Sequence, residues 1–305
     1  MFEETERYKT LSFYARQIVE GYITGLHRSP SHGFSVEFAE HRQYNNGEST
    51  RNIDWRLYGR TDRLFVKQFA EETNLRCRLV VDHSGSMRFP TEGQGNTARP
   101  NKLTFALYAC AILLELLVRQ RDAFGLTLLS DGMDVHSEMR SSKVHQRYLL
   151  ELLERELREP ATEGRRTAVA ASLHRLAEEM HRRSMVVLFT DALTDDNERE
   201  TLFDALRHLR HNKHEVLLFH TLDYGREARF EFDDRPTLFI DLESGRRLKA
   251  QPAEVESRYR ETMRQQLEEI RRHAMQYRID YQPVAVEEGV ERVMLPFLLK
   301  RARMR

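Results

Sequence analysis

The chain has 305 residues, 40% hydrophobic and 31% charged, enough for one large domain or two ordinary ones with a packed core and too apolar for a disordered chain. Its 48 lysines and arginines balance 48 aspartates and glutamates, so no positive field exists to hold a polyphosphate backbone, and nucleic acid is not an expected partner. The two cysteines, Cys77 and Cys110, each lie in an apolar run, a pattern of buried thiols and not of a disulfide framework or a metal knuckle.

The opening MFEETERYKT is acidic and has no apolar core, unlike a signal peptide, which sets the expectation of a cytoplasmic protein. Residues 4–22 carry Leu11, Tyr14, Ala15, Ile18, Val19 and Tyr22 at helical spacing, with Gly25 beyond. From 33 to 73, short alternating runs around Asn46-Gly47 predict an irregular β segment with a hairpin. Within it Arg42, Arg51 and Asp54 can pair across the hairpin, with Trp55, the only tryptophan, anchoring it on a sheet.

After Asn74 the pattern alternates. Strands are predicted at 75–81, 125–129, 185–190 and 215–220, and helices at 103–119, 144–158, 168–182 and 198–211. Near-continuous apolar strands such as MVVLF require a sheet covered on both faces, so the expected core is a doubly wound, mostly parallel α/β sheet. Asp131-Gly132 suits a hairpin turn that adds one antiparallel edge strand. The run 106–118 is interrupted by Glu115 and falls short of the roughly 20 residues a membrane-spanning helix needs, so no span is expected. Further on come β runs at 229–232 and 238–242, a turn at Ser244-Gly245, a charged helix at 253–276 and a strand at 277–282 that completes the same sheet. The expected division is an N-terminal helix and β extension (1–73), a core (74–223) and a C-terminal β and helical addition packed on it (224–305).

LVVDHSGSM places Asp82, Ser84 and Ser86 at the carboxyl end of the first core strand. Oxygen donors at every second position of a tight loop can face one point, and carboxylate with hydroxyl is a hard set suited to Mg²⁺ or Mn²⁺. Thr167, in a loop before a helix, and Asp191, at the end of VVLFTD, fall where a parallel sheet brings strand-end loops together. Helix capping by the serines and turn closure by Asp82 account for one or two of these five donors, not for their joint placement. No G-x-S-x-G elbow is present, and a covalent mechanism at Asp82 lacks a second carboxylate where Ser84 stands.

The five donors resemble the metal-ion-dependent adhesion site of von Willebrand factor type A (vWA) domains, whose fold is Rossmann-like. The resemblance implies one ion, with Asp82, Ser84, Ser86 and Thr167 as direct or water-mediated ligands and Asp191 binding through water. Where many such domains have Asp-Gly, this chain has Asp191-Ala192.

Upstream, Gly33, Glu37, Phe38, Arg42, Tyr44, Gly47, Arg51, Ile53, Asp54, Trp55, Glu72, Thr73 and Leu75 resemble the signature of the bacterial family called domain of unknown function 58. That resemblance covers almost the whole chain, with Gly47-Glu48 where the family usually has Gly-Asp. It implies a non-catalytic, metal-dependent adaptor working with a MoxR-type AAA+ ATPase in assembly or maturation of client proteins, the ion accepting a carboxylate from the partner. The alternative is a metal-dependent hydrolase at the same ion; His83 is the nearby general-base candidate, and alternation along the loop turns it away from Asp82 and Ser84.

Three further features are weaker. His208, His211 and His214 have a spacing that could suggest zinc but read as a solvated helix end. The insert 88–101 reads as a mobile polar loop on the rim of the ion site, and Lys300, Arg301, Arg303 and Arg305 as a frayed basic tail behind a packed helix.

Overall fold

The computed structural model describes residues 10–27, 38–43, 55–69, 75–130, 132–159, 169–193, 196–242 and 245–302. The chain forms two compact units, residues 1–24 with 75–305 and residues 25–74. This grouping differs from the expected three-part division by placing most of the first helix with the core.

In the first unit, α1 (Leu11–His27, entering the second unit at its end) buries Leu11, Ala15 and Val19, and the Tyr14 ring meets Tyr108 edge-on at 5.1 Å. The second unit pairs β1 (Phe38–Gln43) antiparallel with β2 (Phe65–Phe69) and holds α2 (Trp55–Thr61) between them in sequence. Trp55 is thus a correction: it opens a helix, stands 62% exposed, and meets Tyr58 edge-on at 6.2 Å in place of anchoring a hairpin. Asn46-Gly47, Arg51 and Asp54 lie outside the described residues.

The core is a six-stranded, mostly parallel sheet. Its strands are β3 (Arg76–Asp82), β4 (Ala123–Leu129), β5 (Met133–His136), β6 (Met185–Thr190), β7 (Glu215–Leu222) and β10 (Asp280–Ala285), in the order β10-β7-β6-β3-β4-β5. Only β5 is antiparallel to its neighbour, as the Asp-Gly turn implied. Every residue of β6 is buried because helices cover both faces. The helices between the strands are α3 (Lys102–Arg119), α4 (Lys143–Arg158), α5 (Val169–Glu179) and α6 (Asp196–His211). The apolar sequence of α3 is enclosed from Lys102 through Leu114, which is why it reads as apolar on every side.

Past β7, residues 229–232 do not form the expected strand. Phe230 takes a positive φ of 56°, which breaks an extended run, and its ring gathers with Phe232, Phe239 and Tyr259 at 4.6–5.8 Å. The hairpin forms instead between β8 (Thr237–Ile240) and β9 (Arg247–Ala250), with Gly245 at φ 66° in its turn. The long helix α7 (Pro252–Gln276) buries Met263, Ile270 and Ala274, β10 closes the sheet edge against β7, and α8 (Val290–Ala302) follows.

The insert 88–101 is corrected from mobile loop to folded strap. Asn101 N–H donates to the Gly93 carbonyl at 3.1 Å, Lys102 N–H to Phe89 at 3.0 Å, and Val290 N–H at the start of α8 to Thr97 at 3.0 Å. A Cβ on Gly93 would lie 2.3 Å from Asn101 N, so the chain can fold back this closely only on a glycine.

Candidate functional site

The chain leaves β3 toward β4 on one side, while β6 flanks β3 on the other. The carboxyl ends of β3 and β6 therefore border the crevice where open α/β sheets present their loops. Asp82 ends β3 and is 1% exposed; Asp191 follows β6 and is 2% exposed. The Ser84 amide donates to Asp82 Oδ1 at 3.0 Å and the Thr190 hydroxyl to Oδ2 at 2.7 Å, which aims the carboxylate. Ser84 Oγ and Ser86 Oγ are 3.2 Å apart, and the Ser86 hydroxyl helps hold the Asp191 carboxyl below its ordinary value. Asp82, Ser84, Ser86 and Asp191 are thus brought together, and Thr167 lies outside the described residues.

Four neighbours of this cluster escape sequence reasoning: Lys102, Glu227, Thr190 and His220. Lys102, with no exposed surface, sends its Nζ to Asp191 Oδ2 at 2.7 Å and Glu227 Oε1 at 2.5 Å. A signal existed for it. Lys102 is the first residue of a helix whose N-cap is Asn101, and the helix dipole disfavours a cation there unless acids hold it. Glu227 is oriented in turn by the Asp223 amide, which donates to its Oε2 at 2.8 Å. His220 donates from Nε2 to the Asp191 carbonyl at 2.7 Å, and its Nδ1 accepts from the Tyr281 hydroxyl at 2.8 Å. A carbonyl can only accept, so this pairing fixes the tautomer.

The electrostatics follow from burial. Burial first, and then the Asp191 carboxylate, push the Asp82 carboxyl up to about 6. Burial opposes ionisation of Asp191 too, but the Lys102 ammonium overrides it and holds that carboxyl below its ordinary value. Burial raises Glu227 despite Lys102, and lowers His220 to about 4, which leaves its imidazole neutral near pH 7. Lys102 pairs Asp191 and Glu227, so Asp82 when ionised adds a buried negative charge that no ammonium or guanidinium among the described residues bonds. The shortfall of positive charge and the hard oxygen donors fit a small divalent cation. Among the described residues no group of three or more His, Cys, Asp or Glu is arranged to hold a metal, so any ion here relies on the hydroxyls as well as the two aspartates.

His83 points away from the cluster. Its Nε2 is 2.5 Å from Asp134 Oδ2 and its Nδ1 3.1 Å from Glu156 Oε1, which also accepts from Arg88 at 3.0 Å. Both ring nitrogens are engaged in tying β3 to β5 and α4. The zinc spacing does not assemble either: His214 is buried with Nδ1 facing the Ser184 amide at 3.3 Å, while His208 turns toward His174.

Residues 40–272 match the family model described as "Protein of unknown function DUF58". The chain belongs to this family. It is 28% identical over 237 residues to Uncharacterized protein Rv1480 of Mycobacterium tuberculosis and to Uncharacterized protein Mb1516 of Mycobacterium bovis, covering 78% of this chain and 70% of each relative. Similar solved structures include the conserved hypothetical protein BatB from Bacteroides thetaiotaomicron, at TM-score 0.46 and 15% identity, covering 75% of this chain and 99% of that one. An aerotolerance-related membrane protein from Bacteroides fragilis matches at TM-score 0.45 and 16% identity, covering 74% and 99%. The cytoplasmic expectation is corrected here, because that structure and one from Vibrio fischeri are titled as membrane proteins. Among the described residues, no helix is long and apolar enough to cross a membrane.

Proposed function

We propose that this DUF58 chain is a non-catalytic, divalent-ion-dependent protein-binding module of the vWA type, working with a MoxR-type AAA+ ATPase in assembly or maturation of client proteins. The observation that carries this reading is the enclosed pair Asp82 and Asp191, flanked by serine hydroxyls and left with Lys102 as its bonded cation. Asp82, Ser84, Ser86 and Asp191, with Thr167, which precedes α5 in the sequence, would hold one Mg²⁺ or Mn²⁺. The ion supplies two positive charges and a Lewis-acidic position for a partner's carboxylate. The chain's own residues preorganise that position: Ser84 N–H and Thr190 orient Asp82, Lys102 holds Asp191, and His220 with Tyr281 fixes the Asp191 backbone. Breaking a desolvated charge pair of this kind costs about 2–5 kcal/mol, enough to decide partner binding. Both His83 nitrogens face the Asp134 and Glu156 carboxyl groups and not the Asp82 cluster, which supports a binding role over general-base catalysis by that ring.

The test is affinity capture from the native host with and without EDTA, using Asp82→Ala as control and mass spectrometry to identify the captured protein. The reading expects an AAA+ ATPase enriched only with intact Asp82 and divalent ion. Enrichment that ignores both, or metal-dependent turnover of phosphoesters by the purified chain, overturns it.

A further inference from the structure

We propose that Lys102 is a tethered cation that competes with the divalent ion for Asp191 and so sets the ion affinity of the Asp82 cluster, with Glu227 as the second carboxylate that shares the ammonium. The inference rests on the reading that this cluster binds an ion. Both Asp191 oxygens accept bonds from the chain itself, Oδ1 from the Leu193 amide at 3.2 Å and Oδ2 from Lys102 Nζ at 2.7 Å. An ion that reaches Asp191, directly or through water, must share those oxygens with them. The ammonium has no exposed surface and stands 5.9 Å from the centre of the Phe89 ring, so solvent does not screen it from an ion beside Asp191.

Glu227 is set in place for this sharing. It lies in a single π-helical turn, Tyr224–Ala228, whose Tyr224 and Gly225 amides donate to the Glu287 carboxylate at 3.2 and 3.1 Å. The Asp223 amide holds Glu227 Oε2 at 2.8 Å, which leaves Oε1 facing Lys102 Nζ at 2.5 Å. The arrangement also bears on the partner. With Asp82, Asp191 and Glu227 ionised, the Lys102 ammonium and a divalent ion together bring the cluster to zero net charge. Without Lys102 the loaded cluster is negative and repels an incoming carboxylate. Lys102 therefore gives up ion affinity and keeps the bound ion receptive to an acidic group.

The test is Mn²⁺ titration of the full chain, read by water-proton relaxation, in wild type, Lys102→Met, Glu227→Gln and the double variant. Lys102→Met should tighten Mn²⁺ binding by about tenfold or more, because it removes a buried cation and keeps both acids. Glu227→Gln should weaken it by a similar factor, because the ammonium then falls wholly to Asp191. A purely structural Lys102 predicts the opposite sign for its own removal, since Asp191 would lose its support. If Lys102→Met fails to fold, the double variant, which removes one charge of each sign, must still bind Mn²⁺ more tightly than Glu227→Gln alone. Wild type that binds Mn²⁺, with binding unchanged or weakened when Lys102 is replaced in either background, overturns this inference and leaves the ion reading standing. Absence of Mn²⁺ binding in all four proteins overturns both.

Discussion

The Lys102 ammonium lies 2.7 Å from Asp191 Oδ2, its side chain fully enclosed at the first residue of a helix. Nothing about that helix end attracts a cation, so the carboxylates Asp191 and Glu227 are what keep it there. Lys102→Met should therefore destabilise the protein by about 3–5 kcal/mol, because it leaves buried carboxylates without their counter-charge. Urea unfolding measures this. Adding Glu227→Gln to the variant should restore part of the loss, and a loss below about 1 kcal/mol would contradict the pairing.

Asp82 gives a stability effect of opposite sign. Its folded-state carboxyl is raised to about 6 from an ordinary 3.8, so the native state holds its proton more tightly than the unfolded state. The cost of ionising it is absent below pH 4 and complete above pH 6. In metal-free buffer Asp82→Asn should therefore match wild type at pH 4 and exceed it by about 3 kcal/mol at pH 8. Mg²⁺ should narrow that gap by stabilising the wild type alone, as followed by denaturant titration at each pH.

His220 titrates in the same window with the reverse slope. Its folded-state value is lowered to about 4 from 6.5, so the stability it contributes is present above pH 6.5 and lost as pH falls toward 4, where the unfolded chain takes up the proton first. The full loss is about 3 kcal/mol. Wild type alone will show the two trends partly cancelling; the comparison with His220→Gln isolates this one, since that variant should lose less stability between pH 7 and pH 4. Equal acid sensitivity in the two proteins would place the imidazole in a different hydrogen-bonding state.

For the strap, the expected outcome is stabilisation by a single cap. The Asn101 side chain accepts from Thr104 N–H at 2.7 Å and donates to the Arg88 carbonyl at 3.3 Å. Asn101→Ala should cost about 1–2 kcal/mol and open residues 88–101 to limited proteolysis. Unchanged resistance to protease would show that the backbone bonds to Gly93 and Val290 hold the strap unaided.

The sheet was legible because strands such as MVVLF and EVLLFH are continuous apolar runs, and only a doubly covered sheet uses them. Asp131-Gly132 likewise announced the antiparallel edge. The cluster was legible in part, since D-x-S-x-S and Asp191 are spaced by the loops themselves. Lys102 was hidden because its partner Asp191 is 89 residues away, and its place in a Gly-, Pro- and Asn-rich stretch reads as surface. The same composition disguised the strap, whose order comes from hydrogen bonds to Lys102 and the distant Val290. Residues 229–232 misled because polar and apolar residues alternate there as in a half-buried strand, whereas one left-handed residue, Phe230, turns the aromatic rings into a cluster.

The central claim, that Asp82 and its neighbours bind one divalent ion, is tested most directly by Mn²⁺ titration of the metal-free chain, read by water-proton relaxation. The account predicts one Mn²⁺ per chain with exchangeable water on it, displaced by Mg²⁺, lost in Asp82→Ala and weakened in Ser86→Ala. Mn²⁺ binding that survives Asp82→Ala unchanged, or none in the wild type at millimolar ion, would contradict it.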